Sequence, residues 1–140
     1  MKIRLLALAF ILGFGYTSMA QIGVSYQFSE VHPNISVSYG VKNQWWGELR
    51  LSADVDISNF SPEILGLYNF IKKESADFYG GVGLKVNLIS GPMAVTGINI
   101  YPFENKQFGF LAEIGFMYNT DNDNSILRGL GGFRYIFNKD

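Results

Sequence analysis

The residues that could do chemistry are few. His32 is the only histidine and cysteine is absent, so a zinc site of ordinary imidazole and thiolate ligands lacks its donors. Glu30, His32 and Ser58 are residue types used in acyl transfer, where a base activates a hydroxyl. Nothing in their spacing brings them together, and a loop histidine beside Pro33 is the plainer reading. The run Asp121-Asn122-Asp123-Asn124 offers oxygens to calcium. It lacks the glycine at the sixth position and the glutamate at the twelfth that an EF-hand loop needs, and reads as a hydrophilic hairpin. Gly80-Gly81-Val82-Gly83 and Gly129-Leu130-Gly131-Gly132 sit inside strand patterns with no helix after them. They cannot form a phosphate loop, and instead relieve crowding or permit strong curvature. No catalytic residue, cofactor or metal is expected, and the chain does not read as an enzyme. What remains is a scattered set of charges, Glu48, Arg50, Lys85, Glu113 and Arg134, on faces otherwise rich in Gly and Ser. Their chemistry is ion pairing.

The elements that must position those charges are strands. Runs of Val, Ile, Tyr, Phe and Gly recur between clusters of Asn, Asp, Ser, Pro and Lys, a strand-and-turn rhythm without helical periodicity. Eight runs are expected, at about Ile22–Ser29, Asn34–Val41, Trp45–Ile57, Glu63–Ile71, Asp77–Ile89, Met93–Phe103, Phe108–Asn119 and Leu127–Phe137. Alternate side chains of a strand share a face. Ile22, Val24, Tyr26 and Phe28 therefore oppose Gly23, Ser25, Gln27 and Ser29, and Ile35, Val37, Tyr39 and Val41 oppose Asn34, Ser36, Ser38 and Gly40. Leu49, Leu51, Ala53, Val55 and Ile57 oppose Glu48, Arg50, Ser52, Asp54 and Asp56. Val82, Leu84, Val86 and Leu88 oppose Lys85 and its glycines, and Phe108 through Tyr118 oppose Glu113. The fourth and sixth runs are ambiguous, with Leu65 and Leu67 competing against Ile64 and Tyr68, and Tyr101 out of phase with Ile98 and Ile100.

Residues 1–20 read as a cleaved secretory signal. Lys2 and Arg4 precede an apolar run from Leu5 to Phe14, and Ser18 and Ala20 stand where a signal peptidase reads small residues. The apolar run is about half the length that a spanning helix needs. Cleavage after Ala20 leaves residues 21–140 as one domain of 120 residues, with 9 basic against 12 acidic side chains. That balance, with no basic cluster beyond Lys72–Lys73, gives no footing for nucleic acid. A small exported chain without disulfides needs another source of stability, and a lipid environment would supply one.

If the strands run alternately up and down from the periplasm, Tyr39, Trp45, Phe70, Phe78, Phe103, Phe108, Tyr135 and Phe137 gather near one end. Tyr26, Phe28, Phe116 and Tyr118 gather near the other, the two aromatic girdles expected at membrane–water boundaries. The periplasmic connections are then Lys42–Gln44, Lys72–Ala76 and Glu104–Gln107, and Pro33, Pro62 and Pro92 fall in the outer loops. Alternation alone does not say which face is wet. Long, nearly uncharged stripes favour lipid outside, and small polar side chains suit the crowded interior of a narrow barrel. On that reading Glu48, Arg50, Lys85, Glu113 and Arg134 form a luminal polar network. Glu113 and Arg134, on neighbouring strands, are its expected ion pair.

The signal segment, the eight amphipathic strands and the ending GGFRYIF resemble the small outer-membrane β-barrel family typified by OmpX and the OmpA transmembrane domain. The resemblance implies an all-β, eight-stranded antiparallel up-and-down transmembrane barrel in the outer membrane of a Gram-negative bacterium. It implies partners too: outer-membrane lipid, and the barrel-assembly machinery, which reads a C-terminal signal resembled here by Phe133, Tyr135 and Phe137. Asn138, Lys139 and Asp140 follow that signal and depart from the pattern. A structural or interaction role without an open pore is expected, with an envelope protein as a further possible partner. The alternative is a soluble secreted β-barrel that carries a small apolar ligand.

Overall fold

The computed structural model describes residues 22–30, 33–52, 61–86 and 90–137. The expected signal segment, His32, Ser58, the stripe positions Ala53, Val55, Ile57 and Leu88, and residues 138–140 lie outside them. Eight strands are formed: β1 (Ile22–Ser29), β2 (Asn34–Tyr39), β3 (Trp45–Ser52), β4 (Glu63–Lys72), β5 (Ala76–Lys85), β6 (Gly91–Ile100), β7 (Phe108–Asn119) and β8 (Asn124–Phe137). Each pairs antiparallel with its neighbours in chain order, and β1 pairs with β8 from Ile22↔Phe137 to Ser29↔Leu130. The sheet is a closed barrel, so no edge strand is left to template aggregation.

Closure depends on close backbone approach at the seam. A Cβ on Gly132 would lie 2.0 Å from the carbonyl oxygen of Tyr26 on β1, so only glycine fits there. The other end of the glycine-rich segment is different. Gly129 has open space around it, and crowding does not explain it.

The alternation holds along the barrel. Ile22, Val24 and Phe28 of β1, Ile35 and Val37 of β2, Leu49 of β3, Val82 and Leu84 of β5, and Ile114 and Phe116 of β7 are all exposed. Their partners in the alternation, among them Ser25, Gln27, Ser36, Ser38, Glu48, Arg50, Lys85 and Glu113, are buried in the lumen. The ambiguous strands resolve too. Leu65 and Leu67 point inward and Ile64 outward, while Met93, Val95, Asn99 and Tyr101 keep one inward phase across β6 and past its end.

Three expectations are corrected. Val41 does not join the outer stripe. β2 ends at Tyr39, Gly40 takes a φ of 78°, and the turn tucks Val41 fully into the lumen. Pro92 is not in a loop but lies within β6 opposite Leu84. On its other side the pairing with β7 starts only at Met93, so the missing amide donor breaks no bond in that ladder. The last hairpin is tighter than expected, since Asn119 pairs with Asn124 across a turn of Thr120–Asp123.

The two aromatic belts form. Trp45 packs on Tyr68 at 4.7 Å and Tyr135 on Phe137 at 5.1 Å at the end that holds both strand termini. Tyr26 meets Phe28 at 4.9 Å toward the far end. The belts are not separate everywhere: Phe133 stacks on both Tyr26 and Phe108, so rings run down the outside along β1, β8 and β7. An exterior this apolar on every strand is unstable in water. Hydrocarbon removes that penalty.

Candidate functional site

The lumen is where the ionisable groups converge. Every one of Glu48, Arg50, Lys85, Glu113 and Arg134 points inward and is buried, because all five occupy the inward parity of their strands. Arg50 is the hub. Its guanidinium grips Glu113 through two parallel bonds, Nη1 to Oε1 at 2.8 Å and Nη2 to Oε2 at 2.7 Å. Its Nε donates to Glu48 Oε1 at 2.6 Å, and Glu63 Oε2 lies 3.8 Å from Nη1. Arg134 reaches the second oxygen of Glu48 at 2.5 Å and donates to Asn99 Oδ1 at 2.6 Å. The Arg134 guanidinium also lies 4.9 Å from the centre of the Trp46 ring, a cation–π arrangement.

The expected Glu113–Arg134 pair does not form. β7 and β8 are neighbours, but their register sets Arg134 opposite Gly109 and Glu113 opposite Leu130. Four residues of strand separate the two groups, about 13 Å. Glu113 turns across the barrel to Arg50 instead, and also accepts from the Tyr79 hydroxyl at 2.7 Å.

Two members of the network went unread in the sequence. Arg128 makes a bidentate bridge to Glu63 at 2.6 and 3.0 Å, and Lys85 reaches the same carboxylate at 3.1 Å. The signal was present: Arg128 has the same parity as Arg134 on β8, and Glu63 stands opposite Lys85 in the β4–β5 register. The network is continuous, running from Lys85 and Arg128 through Glu63, Arg50, Glu48 and Glu113 to Arg134. Gln27 adds a bond to Glu48 at 2.8 Å.

The pairings cross the lumen. Arg50–Glu113 joins β3 to β7, and Arg128–Glu63 joins β8 to β4, in each case four strands apart in a ring of eight. Two bidentate bridges thus span the barrel from wall to opposite wall. Around them the lumen is packed by Trp46, Leu65, Leu67, Tyr79, Met93, Val95, Met117 and Ile136, so the interior is drier than a purely polar channel. At the terminal end Tyr101 is buried over the lumen, its ring 5.8 Å from the Lys106 ammonium. Burial, with the Asp77 carboxylate nearby, pushes its phenol well above the usual range, so it stays protonated.

The other candidates do not assemble. Glu30 is exposed, while His32 and Ser58 lie outside the described residues. Asp121 and Asp123 belong to the β7–β8 turn, where Tyr118 donates to Asp123 Oδ1 at 2.8 Å. Among the described residues, no three His, Cys, Asp or Glu side chains converge as a metal site. Phe133, Tyr135 and Phe137 form an exposed stripe on β8, as their alternation requires.

No protein-family model matches the chain, and no curated protein matches it in sequence. In fold the chain is similar to a solved structure, that of the outer-membrane protein Ail of Yersinia pestis, determined in a phospholipid bilayer nanodisc. The two share 13% identity with a TM-score of 0.52, over 84% of this chain and 99% of that one. At that identity the likeness concerns the fold, and it agrees with the strand order and closure described above. The chain is an all-β, closed, eight-stranded antiparallel barrel of the kind formed by Ail.

Proposed function

We propose that this protein is a small outer-membrane β-barrel with a structural or interaction role in the cell envelope, exported by its N-terminal segment and acting without catalysis. The observation that carries the reading is the direction of its two surfaces. Large apolar side chains are exposed on strand after strand, while Glu48, Glu63, Glu113, Arg50, Arg128 and Arg134 are sealed inside. A soluble carrier of an apolar ligand needs the reverse, a greasy cavity within a charged shell. A charged Arg or Lys facing lipid at mid-depth would cost about 2–4 kcal/mol, and the barrel avoids this by pairing its arginines inside. The two wall-to-wall bridges favour a closed lumen, as does the narrowness of eight strands. Glu48, Glu63 and Glu113 are each engaged with a guanidinium, which leaves none of these three poised as a general base.

Fractionation tests the location. The folded chain is expected to remain with outer membranes through an alkaline wash and to migrate differently on gels before and after boiling. Recovery in the soluble fraction would overturn the reading. In planar bilayers no stepwise conductance is expected, and discrete openings would remove the closed lumen. Removing Tyr135 to Asp140 deletes the end of β8 that pairs with Ile22 and Val24. It also deletes most of the segment proposed to engage the barrel-assembly machinery. Membrane levels should collapse, and normal levels would remove that role from Phe133, Tyr135 and Phe137. Crosslinking in intact cells would identify an envelope partner.

A further inference from the structure

Among the described residues, the lysines and arginines divide without exception into two groups. Arg50, Lys85, Arg128 and Arg134 are buried in the lumen. Lys42, Lys72, Lys73 and Lys106 all stand at one end, the end where β1 begins and β8 finishes. The opposite end carries Glu30, Asp121 and Asp123 and no outward cation among the described residues. Lys42, Lys73 and Lys106 occupy the three successive turns of that rim, β2–β3, β4–β5 and β6–β7, Lys72 is the last residue of β4, and the four are linked in two pairs. The Lys72 ammonium donates to the Lys42 carbonyl, and the Lys106 ammonium donates to the Lys73 carbonyl at 3.1 Å. Glu74 and Glu104 share the rim, and the buried Asp77 carboxylate lies near Lys42, Lys72 and Lys106, so four ammoniums face three carboxylates, two of them exposed.

We propose that this rim is a docking surface for the phosphate groups of anionic phospholipid in the leaflet it meets. The proposal rests on the membrane reading above. Charge complementarity selects the headgroup, and the aromatic belt sets the depth. Lys42 lies three residues before Trp45, Lys72 two after Phe70 and Lys106 two before Phe108. The ammoniums therefore sit just beyond the rings that mark the hydrocarbon boundary, where a flexible lysine stem reaches headgroup level. An ammonium has three donors, so one given to a carbonyl leaves others for a phosphate. Anionic lipid attracts each such lysine enough to change its local concentration about fivefold.

Trp45 reports the contact, because it is 70% exposed in the rim belt whereas Trp46 is 5% exposed and shielded in the lumen. The protein is folded into vesicles of mixed phosphatidylglycerol and phosphatidylcholine, with bromine on one lipid or the other near the ester. Either orientation serves, since both leaflets have the same composition. Brominated phosphatidylglycerol should quench as though enriched about fivefold or more around Trp45. The preference should fall toward unity in molar salt and in a variant combining Lys42→Gln, Lys72→Gln, Lys73→Gln and Lys106→Gln. Boiling-dependent gel migration checks that this variant is folded. Equal quenching by both lipids in the folded parent, or an unchanged preference in the folded variant, overturns the rim alone. Quenching by neither lipid would mean that the barrel does not enter bilayers, and the membrane reading would fall with the rim.

Discussion

Arg50 and Lys72 carry the same charge, yet the barrel treats them as different materials. Arg50 is fully buried and holds two carboxylates at 2.6–2.8 Å. Lys72 is exposed at a turn and donates to a backbone carbonyl. Inside, charges are cut off from water, so a broken pair leaves an uncompensated ion. At the rim, water and salt screen the charge, and a lost contact is replaced by solvent. The lesson is that position in the sheet, more than residue type, decides whether a cation governs stability or governs what the protein meets.

The largest effect is expected from Arg50→Ala. It strips Glu113 of both arginine bonds and Glu48 of one, inside a lumen that gives neither carboxylate a route to water. Removing one partner of such a pair costs about 3–5 kcal/mol, read as a fall in the urea unfolding midpoint by tryptophan fluorescence in vesicles. Adding Glu113→Gln to an Arg50→Met variant should restore much of the loss, because the orphaned charge goes with its partner. If the double variant is as unstable as the single losses summed, the two residues act independently and the bridge is not what holds the lumen.

Arg134→Ala comes next. Glu48 keeps Arg50 and Gln27 when Arg134 is removed, so the charge left behind is better compensated. Asn99 loses its donor and Trp46 loses the cation beside its ring. A midpoint shift smaller than that of Arg50→Ala and larger than that of any rim lysine is expected. Equal midpoints for Arg134→Ala and Lys73→Gln would count against treating the lumen as the seat of stability.

These two cases also mark where sequence reading works. That Arg50 and Arg134 face inward follows from strict alternation with Leu49, Leu51, Phe133 and Tyr135, a local property of a strand. Which carboxylate each one meets is not local. Arg50 and Glu113 are 63 residues apart and on opposite walls, brought together only by closure of the sheet and the stagger of all the strands between them. Adjacency in chain order made Glu113–Arg134 look natural, and a four-residue offset in one hairpin undid it. Arg128 was missed for a smaller reason. It stands inside the expected run Leu127–Phe137 with the parity of Arg134, but five residues before the aromatic stripe that opens at Phe133 and marks the inward face most clearly. Val41 was misplaced because a left-handed glycine ended β2 inside an alternating run.

Lys85 lies between the two classes and sharpens the boundary. It is 8% exposed and reaches Glu63 at 3.1 Å, but Glu63 is already gripped by Arg128. Lys85→Ala should therefore cost about 1.5–3 kcal/mol, the scale of a hydrogen bond to a charged group, below the loss expected for Arg50→Ala. In an Arg128→Met background the same change should cost more, because Lys85 is then the nearest strong partner of Glu63. Identical costs in both backgrounds would mean that Glu63 does not couple the two cations.

Lys73→Gln should have the smallest effect on stability. The side chain is exposed, and the contacts made at this residue are through its backbone, whose carbonyl accepts from Lys106 and whose amide donates to the Ala76 carbonyl. Glutamine leaves that carbonyl in place, so the urea midpoint should be unchanged within error at low and high salt alike. The salt arm separates the two regions further. Molar salt screens an exposed ammonium within a few ångströms but does not reach Arg50. The parent's midpoint should therefore be insensitive to salt even as the rim loses its attraction for anionic lipid. A salt-dependent midpoint in the parent that vanishes in Lys73→Gln would reverse the assignment, making the rim a structural element.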